Sequence, residues 1–280
     1  WPEHRCCLPP MPFADLHVLG SPRRIFYSFH GTSGPAVVLL HPGTGSSRSW
    51  ARAGRELAAA GFRALAYDRL GFGASGPLAA WAADYHEDGV RELWALLEAL
   101  GVQGPVALVG HSDGATIGLL AAAAEPQRVA CICAEAPHVC HGARFSPQTT
   151  GGFDVFDAEV LPTERFRRAM ERDHPGMAEQ VTERWRTWWR THLDWSVEEC
   201  VPRVQAPVLV VHGARDTFFP EAHSREIAEG VRRGRLLTLD AGHEVHKERH
   251  GEFVGALLEF LRSHCGPLRE GAAWPPQAAA

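Results

Sequence analysis

The chain is nearly without lysine: Lys247 stands alone among 28 basic residues, and the rest are arginine. Acidic residues number 33, which leaves a net charge of −5. A general nucleic-acid binder needs a strong basic field to meet phosphates, so this balance argues against one. No apolar run approaches the ~18–20 residues that span a bilayer. Residues 1–10 have neither the apolar stretch of a secretory signal nor an initiator methionine, and Met11 begins a more ordinary opening; residues 1–10 are expected to lie outside the fold as a flexible extension. Cysteines number seven, with Cys6 and Cys7 adjacent. An odd count of this kind is no disulfide framework, and no paired C-x-x-C units suggest zinc. Reduced thiols in a cytoplasmic protein are expected. There is no internal repeat.

What is present is a composition with core-forming capacity. Hydrophobic residues make up 45% and charged residues 22% of 280, which rules out wholesale disorder. At roughly 150 residues per domain the length could hold two domains, but α/β folds of this size form one unit. Short apolar runs alternate with longer amphipathic ones. Asp15–Leu19 and Ile25–Phe29 flank Gly20-Ser21-Pro22 and predict a hairpin. Ala36–Leu40, Phe62–Tyr67, Val106–Val109, Val129–Ala134, Val208–His212 and Arg235–Leu239 predict strands. Helices are predicted over Ser49–Ala60, from Asp84 with Glu87 completing a capping box, over Gly114–Ala124, near Glu221–Ala228 and near Glu252–Arg262. Strands separated by helices imply a mostly parallel, eight-stranded sheet with helices on both faces, and in such sheets chemistry gathers at the carboxyl ends of the strands.

After Pro137 the alternation stops for about sixty residues, the spacing of a large insertion. Gly, Pro and Thr punctuate 142–163, and helices are predicted over Glu164–Arg172 and Met177–Leu193. The expected organisation is therefore a core over 11–137 and 201–265, a helical cap inserted at 138–200, and a flexible tail at 266–280.

The strongest chemical signal is Gly110-His111-Ser112-Asp113-Gly114, a G-x-S-x-G motif between a buried strand and a small-residue helix. A serine on a sharp strand-to-helix turn needs small neighbours, which Gly110, Gly114 and Ala115 supply. The turn lifts the hydroxyl out of the sheet beside the unpaired N–H groups of a helix N-terminus. A serine hydroxyl also needs a base, and the base needs an orienting carboxylate. Asp216 and His243 each follow a strand end at the same sheet edge, in the order serine, acid, histidine that this architecture uses. Asp240 is a rival acid on the strand side of His243.

These pieces together resemble the α/β-hydrolase superfamily over residues 15–263. The matching segments are His41-Pro42-Gly43, Asp68-Arg69-Leu70-Gly71-Phe72-Gly73-Ala74-Ser75, the Ser112 elbow, His212-Gly213-Ala214-Arg215-Asp216 and Ala241-Gly242-His243. Gly-x-Ser-Asp-Gly and Pro202-Arg203-Val204-Gln205-Ala206-Pro207 are similar to the biphenyl-hydrolase-like group, that of valacyclovir hydrolase. The resemblance implies Ser112 as nucleophile, His243 as general base and acid, and Asp216 as orienter. It implies an oxyanion hole from the backbone N–H groups of Asp113 and Gly43, with Thr44 as the other candidate donor, since Pro42 has none. It also implies that the Asp113 carboxylate could bind a substrate amino group; otherwise the side chain caps the helix.

The cap carries Trp185, Trp188, Trp189 and Trp195, and Met177, Val181, Trp185, Trp188 and His192 fall along one helical face. Packing of the cap onto the core accounts for most of that stripe, and Trp185, Trp188 and Trp189 are candidates for an apolar wall over Ser112. The Arg-rich helix at 164–172 is a solvated face. His246 and His250 are expected as solvated surface residues rather than as a three-histidine metal site with His243. Asp68 and Arg69 are expected to fix a turn. Cys131 and Cys133 are small core residues, and neither they nor Cys140 show a base partner. The expected activity is hydrolysis of a small-molecule carboxylic ester through an acyl-enzyme, with no cofactor, metal, nucleic acid or membrane span, by a monomer or homodimer. Cleavage of another acyl bond, or a ligand receptor on the same fold, are the alternatives.

Overall fold

The computed structural model describes residues 12–78, 80–141 and 153–265. Residues 1–10, the tail and the 142–152 part of the insertion lie outside the described residues, as do the expectations placed on them. Eight strands form one sheet in the order β1-β2-β4-β3-β5-β6-β7-β8. They are β1 (Phe13–Val18), β2 (Ser21–His30), β3 (Ala36–Leu40), β4 (Arg63–Tyr67), β5 (Val106–His111), β6 (Val129–Glu135), β7 (Val208–Gly213) and β8 (Gly234–Leu239). The first two are antiparallel; β4 onward run parallel to one another. The hairpin turn between β1 and β2 places both Leu19 and Gly20 at positive φ.

Nine helices are described: α1 (Ala51–Ala59), α2 (Tyr85–Ala99), α3 (Asp113–Ala124), α4 (Phe153–Val155), α5 (Glu164–Asp173), α6 (Ala178–Thr191), α7 (Glu221–Gly230), α8 (Val245–Glu248) and α9 (His250–His264). The period-2 alternation of the central strands sorts their side chains into two layers. Val38, Leu40, Leu108 and Ile132 face α2 and α3. Val37, Leu39, Val109, Cys131 and Cys133 face α1 and α9. Both faces are covered, which is why these strands are apolar throughout. Helices α4–α6 lie between β6 and β7, and Trp185, Trp188 and Trp189 of α6 form a cluster with Phe156 and with Tyr85 of α2.

Two local expectations differ. Asp84 makes no capping hydrogen bond; its carboxylate pairs with Arg91 at 3.2 Å, and that ion pair replaces the capping box. The helix predicted from Ser49 begins as a 3-10 turn over Ser47–Trp50, capped by the Ser46 side chain. The last helix forms as expected, as α9, and the sequence did not indicate the short helix α8 that precedes it, immediately after the His243 loop. Among the described residues no helix is long and apolar enough to cross a membrane.

Candidate active site

Ser112 sits between β5 and α3 with φ 54° and ψ −122°. A non-glycine residue held there costs about 1–3 kcal/mol, which the surroundings must offset. They do so by close packing. A Cβ on Gly110 would overlap the Gly114 backbone, and a Cβ on Gly114 would overlap the Leu40 carbonyl. The Ser112 N–H donates to the Glu135 carbonyl at 2.9 Å, and the Ser112 carbonyl accepts the N–H of Ala115 at 2.8 Å. The strained turn is thus clamped on three sides.

Asp216 and His243 approach from the turns after β7 and β8. The two turns touch so closely that a Cβ on Gly213 would overlap the Gly242 carbonyl. Asp216 Oδ1 accepts the N–H of Phe218 at 2.8 Å, and Oδ2 lies 2.7 Å from His243 Nδ1. The Asp216 side chain is fully buried, whereas that of His243 is 17% exposed. Burial pulls the His243 pKa down, but the charge and hydrogen bond of Asp216, with Glu135 and Glu244, outweigh it and raise the net value. Burial pushes Asp216 up, and His243 with the Phe218 N–H brings it below the usual carboxylate range. With Nδ1–H given to Asp216, His243 keeps the Nε2 lone pair for a proton. No hydrogen bond joins the Ser112 hydroxyl to His243 in this structure. Asp240, by contrast, is 66% exposed and pairs with Arg215 at 2.8 Å, away from His243.

The loop after β3 is braced from below. Arg69 donates to the carbonyls of His41 at 3.3 Å and Pro42 at 3.1 Å, and its N–H donates to His41 Nε2 at 3.0 Å. Burial, then the Arg69 charge, holds the His41 pKa well below its ordinary value, so the ring stays a neutral acceptor. Asp68 accepts the N–H groups of Ser47 at 2.7 Å and Ala74 at 2.8 Å, a turn-fixing role. His174, at the end of α5, accepts the Gly73 N–H on Nδ1 at 2.9 Å and donates from Nε2 to the Thr44 carbonyl at 3.1 Å. It thereby staples this loop to the helical block, a role that no sequence pattern indicates.

Gly43 is pressed between elements. A Cβ there would overlap both the Trp185 indole and an Asp113 carboxylate oxygen. Asp113 is the first residue of α3, so its N–H has no intrahelical acceptor. Its side chain does not cap the helix. The Tyr85 hydroxyl donates to Oδ2, and His138 Nε2 lies 3.1 Å and His86 Nε2 3.7 Å from Oδ1, neither aligned as a hydrogen bond. Burial raises the Asp113 pKa, but the two imidazoles outweigh it and hold the carboxyl well below the usual range. Burial, in turn, drives His86 down to about 4.

Of the tryptophans on α6, Trp188 and Trp189 are spent on this cluster. Trp188 packs edge-on to Tyr85 at 4.6 Å between centroids and donates its indole N–H to the Ala82 carbonyl at 2.9 Å. Trp189 packs edge-on to His138 at 5.0 Å. Trp185 is the one that reaches Gly43. Ser112 is 7% exposed. A small cavity beside Tyr85, lined by Arg69, Phe72, Trp81 and Glu92, does not reach Ser112, Asp216 or His243.

The histidines after the loop correct an expectation. His246 and His250 are buried rather than solvated. His246 Nδ1 lies 2.9 Å from Glu135 Oε1, and His250 Nε2 lies 2.8 Å from Glu56. They form no metal set with His243. Among the described residues the groups with metal-ligand proximity are His86, Asp113 and His138, and His111, Glu135 and His246. Metal-binding histidines are normally oriented by an acceptor on the other ring nitrogen. Nδ1 of His86 and of His138 has none, and His246 Nδ1 is taken by Glu135. Cys131 and Cys133 are core residues as expected; the Cys140 thiol, however, lies 3.9 Å from His223 Nε2.

Comparison with known proteins agrees with the fold. The family model described as the alpha/beta hydrolase fold matches residues 35–182. A lipase of Mycobacterium tuberculosis, LipV, is 32% identical over 91% of this chain and 91% of its own length. The human serine hydrolase BPHL is 28% identical over 72% of this chain and 70% of its own, in keeping with the biphenyl-hydrolase-like resemblance. Among solved structures, a thermophilic esterase from Thermogutta terrifontis superposes with a TM-score of 0.70 over 90% of this chain and 98% of that one, at 20% identity.

Proposed function

The chain belongs to the alpha/beta hydrolase fold family, and on that premise we propose that it is a serine hydrolase of carboxylic esters. The observation that carries the reading is the 2.7 Å contact of His243 Nδ1 with the buried Asp216, formed at the sheet edge where the Ser112 elbow ends β5. Ser112 Oγ attacks the ester carbonyl while its proton passes to His243 Nε2. The Oγ–Nε2 contact this step needs forms in the reacting complex, as catalytic hydrogen bonds often do. The tetrahedral oxyanion is met by the N–H groups of Asp113 and Gly43. His243 then protonates the leaving alcohol, and water repeats the sequence on the acyl-enzyme. The helical block 138–200 acts as a cap, with Trp185 as the apolar wall nearest the reacting centre.

Both Asp113 carboxylate oxygens already face Tyr85, His86 and His138. That supports a role for its backbone N–H rather than capture of a substrate ammonium, and favours plain acyl esters over α-amino-acyl esters. A panel of p-nitrophenyl esters, amino-acyl esters, lactones and amides tests the class. Turnover is expected on plain esters with a moderately bulky apolar part. A strong preference for amino-acyl esters, abolished by Asp113→Asn, contradicts the assignment of Asp113.

A further inference from the structure

Two buried clusters flank Ser112, one built on the residue after it and one on the residue before it. On the second side, Glu135 ends β6 with its side chain fully buried. Its carboxylate accepts the His246 backbone N–H at 2.8 Å and lies 2.9 Å from His246 Nδ1. Its backbone carbonyl accepts the Ser112 N–H. His111 donates from Nε2 to the His243 carbonyl at 2.9 Å, and its ring centroid lies 4.8 Å from that of His243 and 5.0 Å from that of His246. One residue is therefore bonded both to the nucleophile's turn and to the chain three residues past His243.

A glutamine could accept the same two donors without the cost of burying an acid. What a carboxylate adds is negative charge near His243. Burial pushes the Glu135 pKa up to about 7, against the opposing pull of His111, His246 and His243. It therefore ionises in the range where a catalytic imidazole changes charge. The other groups around His243 have definite signs. Asp216, Glu135 and Glu244 favour its imidazolium. Burial keeps His111, His212 and His246 below their ordinary values. Lys247 is paired to Glu244.

We propose, resting on the reading of His243 as general base, that Glu135 is a positioning residue for His243: through His246 it ties the histidine loop to the turn that carries Ser112, and its charge stabilises the imidazolium formed during acyl transfer. In that step the Ser112 O–H bond breaks, the proton moves to His243 Nε2, and the Oγ–carbon bond forms; Glu135 takes no proton from the substrate. Two groups that interact in this way titrate as a pair.

The test follows the His243 ring nitrogens and the Glu135 carboxyl carbon by NMR across pH, in the wild type and in Glu135→Gln, alongside hydrolysis of a p-nitrophenyl ester. In the wild type each curve is expected to inflect where the other group titrates. In Glu135→Gln the His243 midpoint moves down, and kcat falls roughly tenfold with KM unchanged. Independent titration in the wild type, or a His243 midpoint that Glu135→Gln leaves in place, overturns the proposal whatever happens to thermal stability. The wild-type titration decides the matter even when the variant does not fold. A wild type that hydrolyses no ester while the two groups titrate together counts against the esterase reading and not against this coupling.

Discussion

Replacing Asp216 by asparagine changes one atom at the carboxylate that faces His243, and the structure indicates which atom. Oδ1 accepts the N–H groups of Phe218 at 2.8 Å and Phe219 at 3.3 Å, so the asparagine oxygen is held there. Its NH2 group must then face His243 Nδ1, which can no longer donate and becomes the acceptor. The imidazole is forced into the tautomer with its proton on Nε2, where it cannot receive the proton of Ser112. In a serine–histidine–aspartate system this error of tautomer costs about 10⁴ in kcat, or about 5.4 kcal/mol at 1.36 kcal/mol per decade. Asp240 offers an internal control, because its carboxylate is exposed and bound to Arg215. The assay is steady-state hydrolysis of a short p-nitrophenyl ester by the wild type, Asp216→Asn and Asp240→Asn. The expected result is a loss of about 10⁴ in kcat for the first variant at nearly constant KM, and a change within about twofold for the second. A loss of less than tenfold for Asp216→Asn, or a larger loss for Asp240→Asn, refutes the reasoning.

Gly43→Ala places a methyl group against the Trp185 indole and the Asp113 carboxylate, so the loop must shift away from the oxyanion position; kcat on the same ester is expected to fall about 10²–10³ while the fold persists by circular dichroism. Glu92 is buried, accepts the Leu70 N–H, and is pushed by burial up to about 8. Its folded pKa is raised, so its contribution to stability is complete below about 4.5 and is lost as pH rises through about 8. Glu92→Gln removes this dependence, and the fall in Tm between about pH 6 and 9 should be shallower than in the wild type; an equally steep fall assigns it to other groups.

Much of the architecture is legible in the sequence because strands covered on both faces must be apolar throughout, as Ala36–Leu40 is. The elbow is legible because only small residues fit where Gly110 and Gly114 nearly touch. Asp216 and His243 are legible from their places after strand ends. The supporting residues are not. Glu135 and His246 meet across 111 positions, and His174 reaches Gly73 across 101. A single polar residue at a strand end or helix end has no period, so nothing local distinguishes it from a solvated one. The same holds for His86 and His138, whose burial depends on tryptophans from α6. The Asp84 cap fails for a related reason: a basic side chain at Arg91, about two turns further along, competes for the carboxylate.

Covalent labelling bears on whether the Ser112 hydroxyl is the nucleophile. The protein is treated with a fluorophosphonate, digested and mapped by mass spectrometry, with Ser112→Ala in parallel. A single phosphonylated residue, Ser112, is expected, with no labelling of the variant. Labelling at another residue, or undiminished labelling of Ser112→Ala, contradicts it.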